Sequence, residues 1–182
     1  MKNIIFLDID GVLNNNISNI SLESIEVLNQ LIYEYKAKII MITSRQRNGT
    51  KNRRKIIENV LENLGIYDID FIDPNYEGRL CDIKLPSRLL GIVDYLKNND
   101  EVNYVILDDE YNNDYKLLCL NHYDINKFKG LTYKDLSKIK FKSVNLNNFK
   151  YIKYYYRQLG EYELATNSLI KVLKNKYEKD VK

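Results

Sequence analysis

Asn3-Ile4-Ile5-Phe6-Leu7-Asp8-Ile9-Asp10-Gly11-Val12-Leu13-Asn14 is the stretch from which the rest of the chain can be read. Ile4 to Leu7 are apolar at odd and even positions alike, so a strand here must be covered on both faces, as strands of parallel sheets are. Asp8 and Asp10 then flank Ile9, and Gly11 permits a sharp turn. A buried strand over residues 3–9, ending in two carboxylates, is the expected first element.

Outward from it, the pattern alternates. A helix is expected from Leu22 to Tyr35 with Ser21 as its N-cap, then a buried strand from Lys38 to Thr43. Residues 50–64 read as a helix capped by Thr50 and stopped by Gly65. Ile69 to Ile72 is a short strand, Ser87 to Asn98 a helix, and Val102 to Leu107 a buried strand running into Asp108-Asp109-Glu110. A short strand over Lys116 to Leu120 and a short helix over Tyr133 to Ile139 complete the body. This alternation specifies an α/β fold, a three-layer Rossmann-type parallel sheet flanked by helices. Such sheets bind ligands beyond the carboxyl ends of their strands. Three of those ends carry reactive groups: Asp8/Asp10, Thr43/Ser44 and Asp108/Asp109.

Composition narrows the class. The 182 residues are 45% hydrophobic and 29% charged, with 7 Gly and 2 Pro, which excludes disordered and collagen-like chains. His122 is the single histidine, so His-based triads and His-rich zinc sites are disfavoured, and His122 itself reads as a surface or interface residue. With no leader after Met1 and no apolar run near the ~18 residues of a membrane span, the expected location is the cytoplasm, away from membranes. The net charge of +3 divides unevenly: residues 1–133 hold 16 Lys/Arg against 20 Asp/Glu, and residues 134–182 hold 12 against 5. The expected division is a core over residues 1–142 and a basic α-helical hairpin over residues 143–182, with helices at Asn147 to Leu159 and Tyr162 to Lys176. Such a pair cannot cover both its faces alone, so it must pack on the core, a partner or a second copy; a homodimer through the hairpin is one expectation.

The strand ends suggest a chemistry. Asp8 can attack phosphorus and Asp10 can serve the leaving oxygen, and later a water, as acid and base. Thr43, Ser44 and backbone N–H groups of the Gly11 turn can hydrogen-bond phosphoryl oxygens. A phosphate dianion facing carboxylates needs compensation, which a hard cation on Asp8, the Asp10 carbonyl and Asp108 would supply; oxygen-only ligands suit Mg²⁺. A Lys or Arg from another element would neutralise the developing charge.

Asp8 to Asn14 with the preceding Ile4 to Leu7, the apolar strand ending at Thr43, and Val105-Ile106-Leu107-Asp108-Asp109 together resemble the motifs of the haloacid dehalogenase-like (HAD) phosphohydrolases. Within that superfamily, DIDGVLN, LDDE and the run from Asn121 to Thr132 are most similar to the small HAD domains of Swiss Army knife RNA-repair proteins, a similarity covering about residues 3 to 139. The resemblance implies a Mg²⁺-dependent phosphatase: Asp8 nucleophile, Asp10 acid/base, Thr43 phosphate binder, Asp108 metal ligand, Asp109 assisting through water, Asp114 in reserve. It also implies a basic third motif, for which Arg88 fits best and Lys84 and Arg79 are rivals. Ser44-Arg45-Gln46-Arg47 departs from the Trp-Arg pair of the repair-type pattern.

The spacing leaves no room for a folded cap, so the site is expected to be open to a bulky phosphorylated partner such as a nucleic-acid end. Arg45, Arg47, Arg53 and Arg54 read as a solvated helix start or as phosphate contacts. Tyr151, Tyr154, Tyr155 and Tyr156 beside Lys150, Lys153 and Arg157 are candidates for base stacking. A small-metabolite phosphatase with the helical tail as lid, and an idle phosphate-binding module, are the alternative readings.

Overall fold

The computed structural model describes residues 1–14, 19–43, 51–72, 79–80, 83–84, 87–109, 115 and 120–145. Five strands form the main sheet path: β1 (Lys2–Leu7), β2 (Ala37–Met41), β3 (Ile69–Phe71), β6 (Val102–Asp108) and β7 (His122–Asp124), in the order β3-β2-β1-β6-β7. All the pairings along that path are parallel. β8 (Lys142–Ser143) adds antiparallel to the first half of β6. Strand order reverses beside β1, because the chain adds β2 and β3 on one side and β6 and β7 on the other.

Helices cover the two faces. α1 (Leu22–Tyr35) and α2 (Lys51–Glu62) lie on one side, where Ile5, Leu7, Ile39, Met41, Val105 and Leu107 pack with Ile25, Leu28, Leu31 and Leu61. α3 (Ser87–Asn98) lies on the other, where Ile4, Phe6, Ile40, Tyr104 and Ile106 pack with Leu89, Ile92, Val93 and Leu96. Burial of each such large side chain contributes roughly 1.5–3 kcal/mol. The run from Ile4 to Leu7, at most 1% exposed, therefore anchors the middle of the sheet.

Local signals set the element ends. The Ser21 hydroxyl accepts the Ser24 N–H at the start of α1, and Lys36 closes the helix in the left-handed conformation. β1 stops at Leu7, two residues earlier than the apolar run suggests. The Asp8 N–H still donates to Leu107 O at 3.0 Å, but the Val12 and Leu13 N–H groups fold back to Ile9 O. The ladder thus ends where the turn begins.

Three features differ from the sequence reading. The strand after β6 is His122–Asp124; of the expected Lys116–Leu120 strand only Leu120 is described, and it lies outside any strand. Arg79–Leu80 (β4) and Ile83–Lys84 (β5) form a separate antiparallel pair between β3 and α3, where no element was expected. The helix expected over Tyr133–Ile139 is the shorter α4 (Tyr133–Leu136), whose Thr132/Asp135 capping box fixes its first turn. The two tail helices lie outside the described residues. Among the described residues no helix is long and apolar enough to cross a membrane.

Candidate active site

The reversal of strand order brings the carboxyl ends of β1 and β6 side by side, with Leu7 opposite Leu107 in register. One residue further, Asp8 and Asp108 stand side by side at the ends of neighbouring strands, 4% and 0% exposed. Arg88, from the first turn of α3, reaches both: Nη2 lies 3.2 Å from Asp8 Oδ2 and Nη1 lies 2.7 Å from Asp108 Oδ2. Removing Arg88 would leave two buried carboxylates uncompensated, at about 3–5 kcal/mol.

Asp8 is held on its other sides as well. The Ile9 N–H donates to its Oδ1 at 2.9 Å, and the buried Thr43 hydroxyl hydrogen-bonds it from the end of β2. Burial is the dominant influence on its acidity and lifts its pKa to about 6. The Asp108 charge pushes the same way, while Arg88, the Ile9 N–H and Thr43 oppose. For Arg88, burial works against the charge, but the two carboxylates outweigh it and raise its pKa.

Asp108 has a different escort. The Tyr115 hydroxyl donates to its Oδ2 at 3.0 Å, and His122 Nε2 is 3.1 Å from its backbone oxygen. Tyr115 is 1% exposed, and its ring packs 4.9 Å from that of His122. Burial, then Asp108, keep the Tyr115 phenol above its ordinary range. His122 is thus half-buried, and the β6–β7 register sets it opposite Ile106.

Asp109 completes an acidic group. One carboxylate oxygen each from Asp8, Asp108 and Asp109 lie within 4.8 Å of one another. Gly11 makes this approach possible: a Cβ there would lie 2.2 Å from the Asp109 carboxylate, and its φ of +75° suits glycine. Gly11 was expected to offer its N–H to phosphate. That N–H instead donates to Asn14 Oδ1 at 2.8 Å, within the same turn. Asp10 is half-buried, and one of its oxygens accepts from Asn14 Nδ2 at 3.0 Å. Its carboxylate is not in the three-residue cluster.

The remaining basic and hydroxyl candidates separate clearly. Arg79 and Lys84 are register partners in the β4–β5 pair, and only their backbone is described. Arg54 donates from Nη2 to Ile72 O at 3.4 Å and sits 5.4 Å over the Phe71 ring, whereas Arg53 is exposed. Ser44, Arg45, Arg47, Asp114 and the tail tyrosines lie outside the described residues.

The family model for the HAD domain in Swiss Army Knife RNA repair proteins matches residues 4–136. The chain belongs to this family. The matched span runs from β1 to the end of α4, so every described carboxylate of the site falls inside this HAD domain. No curated protein and no solved structure matches the chain.

Asn14, Tyr115 and His122 are the contacts that sequence reasoning did not assign. Asn14 opens a polar stretch, Asn14-Asn15-Asn16, so nothing local marks it off from its neighbours. Tyr115 is one of 16 tyrosines and has no pattern to mark it.

Proposed function

We propose that this HAD domain is a Mg²⁺-dependent phosphomonoesterase working through an aspartyl-phosphate on Asp8, with a phosphorylated RNA end as substrate. The observation that carries the reading is the pairing of Asp8 and Asp108 through Arg88 at the reversal of strand order, with Asp109 beside them. The three carboxylates offer only hard oxygen donors, which fit Mg²⁺ better than Zn²⁺ or copper. Asp8, Asp108 and Asp109 would hold the ion, which when bound supplies charge to offset the phosphate dianion.

The chain's own groups divide the chemistry. An Asp8 oxygen attacks phosphorus as the ester P–O bond breaks, and Asp10 gives its proton to the departing oxygen. Asp10 then takes a proton from the water that attacks the phosphorus of the aspartyl-phosphate. Phosphate leaves and the Asp8 carboxylate is restored. Arg88 draws charge off the phosphoryl oxygens, and the Thr43 hydroxyl orients Asp8. The Arg88 bridge keeps Asp8 in place; without a cation, burial raises the Asp8 pKa to about 6, and a bound cation would favour the carboxylate.

A polymeric substrate is supported by the family, whose HAD domains belong to RNA repair proteins, and by a run of charge. Lys127, Lys129, Lys134, Lys138, Lys140 and Lys142 are all exposed, against Asp135, which is engaged by Thr132 and Tyr123. The run starts at a turn fixed to the catalytic loop: the Leu131 N–H donates to Val12 O at 2.8 Å, and Gly130, with φ +69°, lets the backbone pass close to Val12. Phe128, 69% exposed on that turn, offers a stacking face.

The test compares rates on p-nitrophenyl phosphate, mononucleotides, sugar phosphates and 3′- or 5′-phosphorylated RNA oligonucleotides. Turnover that needs Mg²⁺, vanishes in Asp8→Asn and is fastest on an oligonucleotide is expected. Equal activity in Asp8→Asn removes the covalent mechanism, and a preference for sugar phosphates removes the RNA assignment. Lys127→Glu combined with Lys129→Glu should raise KM several-fold for the oligonucleotide and lower the salt dependence of binding by about two in slope.

A further inference from the structure

Asp10 is the residue from which the proposed reaction demands most precision, since it must meet the leaving oxygen and then a water. It stands in a turn, outside the sheet ladder, where backbone pairing does not fix its side chain. Asn14, four residues later, is 4% exposed and has both ends of its amide engaged by this turn. Its Oδ1 accepts the buried Gly11 N–H at 2.8 Å, and its Nδ2 donates to Asp10 Oδ1 at 3.0 Å. The backbone at Asn14 is itself tied down by an antiparallel bridge to Ile20, just ahead of α1. One side chain therefore closes the turn and grips the carboxylate of the residue that opens it.

A buried amide is costly to install unless its hydrogen bonds matter, and the Gly11 bond alone needs only an acceptor. Any carboxylate would serve there. The donor half of the amide has Asp10 as its partner, and that half is what distinguishes Asn from Asp at this position. From this we infer that Asn14 is a positioning residue for Asp10, holding its carboxylate where it can protonate the leaving oxygen; the inference rests on the phosphatase reading above.

Asn14→Asp separates the two halves, since it keeps an acceptor for the Gly11 N–H, nearly preserves shape and removes the donor. Asn14→Ser, too short to reach Asp10, is the second variant should the first fold poorly, with folding checked by thermal melting. The readout is the ratio of kcat/KM on two substrates. p-Nitrophenyl phosphate releases a stabilised phenolate that leaves without a proton, whereas a nucleoside 3′-phosphate releases an alkoxide that needs one. Because kcat/KM covers steps only through formation of the aspartyl-phosphate, later hydrolysis does not enter. Asn14→Ser adds no charge, so a shift of the ratio shared by both variants cannot come from the carboxylate that Asn14→Asp places beside Asp10.

Asp10→Asn is expected to slow the nucleotide by about 10²-fold or more relative to p-nitrophenyl phosphate. Asn14→Asp and Asn14→Ser should shift the ratio the same way, by about tenfold. If Asp10→Asn shifts the ratio and neither Asn14 variant does, positioning by Asn14 is overturned while the phosphatase reading stands. If the wild type shows no Asp8-dependent turnover, both fall together.

Discussion

The ends of β1 and β6 are alike in composition and unlike in support. Each presents one buried carboxylate that Arg88 holds, Asp8 or Asp108, and one half-buried carboxylate close behind it, Asp10 or Asp109. On the β1 side the supporting contacts to Asp8 and Asp10 come from close by in sequence, the Ile9 N–H and the Asn14 amide, with Thr43 added from just past β2. On the β6 side they come from later in the chain, the Tyr115 hydroxyl on the carboxylate and His122 on the backbone oxygen. On the proposed phosphatase reading, the difference implies a division of labour. A carboxylate fixed by a short turn can be placed to react, while one clamped by bulky rings is suited to hold charge still.

The largest effect expected from breaking this division is at Asp8. Asp8→Asn should lower kcat by about 10⁴-fold or more, as loss of a nucleophile does, with the fold at least as stable, because burial already disfavours the charged form of Asp8. Asp108→Asn should cost less at saturating Mg²⁺ and should raise the Mg²⁺ concentration needed for half activity. Equal losses with no change in metal requirement would erase the distinction between the two strand ends.

Next is the residue the ends share. Arg88→Met leaves two buried carboxylates facing each other and should destabilise the protein by about 3–5 kcal/mol in denaturant titrations at pH 7. A loss below about 1 kcal/mol would show that the triad is not what holds the ends together.

A pH experiment sharpens the contrast without altering Arg88. The folded-state pKa of Asp8 is raised from 3.8 to about 6, so the folded chain binds that proton more tightly than the unfolded chain. The stability Asp8 contributes is fully present below about pH 4 and is lost as pH rises through about 6, amounting to roughly 3 kcal/mol. Metal-free wild type should therefore lose stability relative to Asp8→Asn across that window, and Mg²⁺ should restore more of it at pH 7.5 than at pH 5. A difference between the two proteins that stays flat from pH 4 to 7 contradicts the assignment.

The two ends were also unequally legible in the sequence. Ile4 to Leu7 and Val105 to Leu107 are apolar on both faces, so buried parallel strands could be read from them, and with them the places where Asp8 and Asp108 emerge. Arg88 could be placed because it falls in the first turn of α3, whose apolar residues repeat at helical spacing. β7 could not, since His122-Tyr123-Asp124 has little apolar character and owes its strand to pairing with β6. β8 is Lys142-Ser143, with no pattern of its own. Gly11 was legible as a turn, but the need for it comes from Asp109, nearly a hundred residues away, and no local signal records that contact.

The smallest effect, and the most discriminating for the β6 side, is expected from Tyr115→Phe. The substitution keeps the ring that packs on His122 and removes one donor from Asp108 Oδ2, which retains Arg88. Loss of a single buried hydrogen bond to a charged group should cost about 1.5–3 kcal/mol of stability. Contacts behind metal ligands commonly govern affinity by about 10–100-fold, so half-saturating Mg²⁺ should rise by about tenfold while kcat at saturating Mg²⁺ stays within about threefold. The β1 side responds to the opposite test, since Asn14→Asp should change the response to leaving group and leave the Mg²⁺ requirement nearly untouched. If Tyr115→Phe altered leaving-group dependence, or Asn14→Asp altered metal requirement by a similar factor, the two ends would be acting as one coupled network through Arg88, and the separate roles assigned to them would have to be given up.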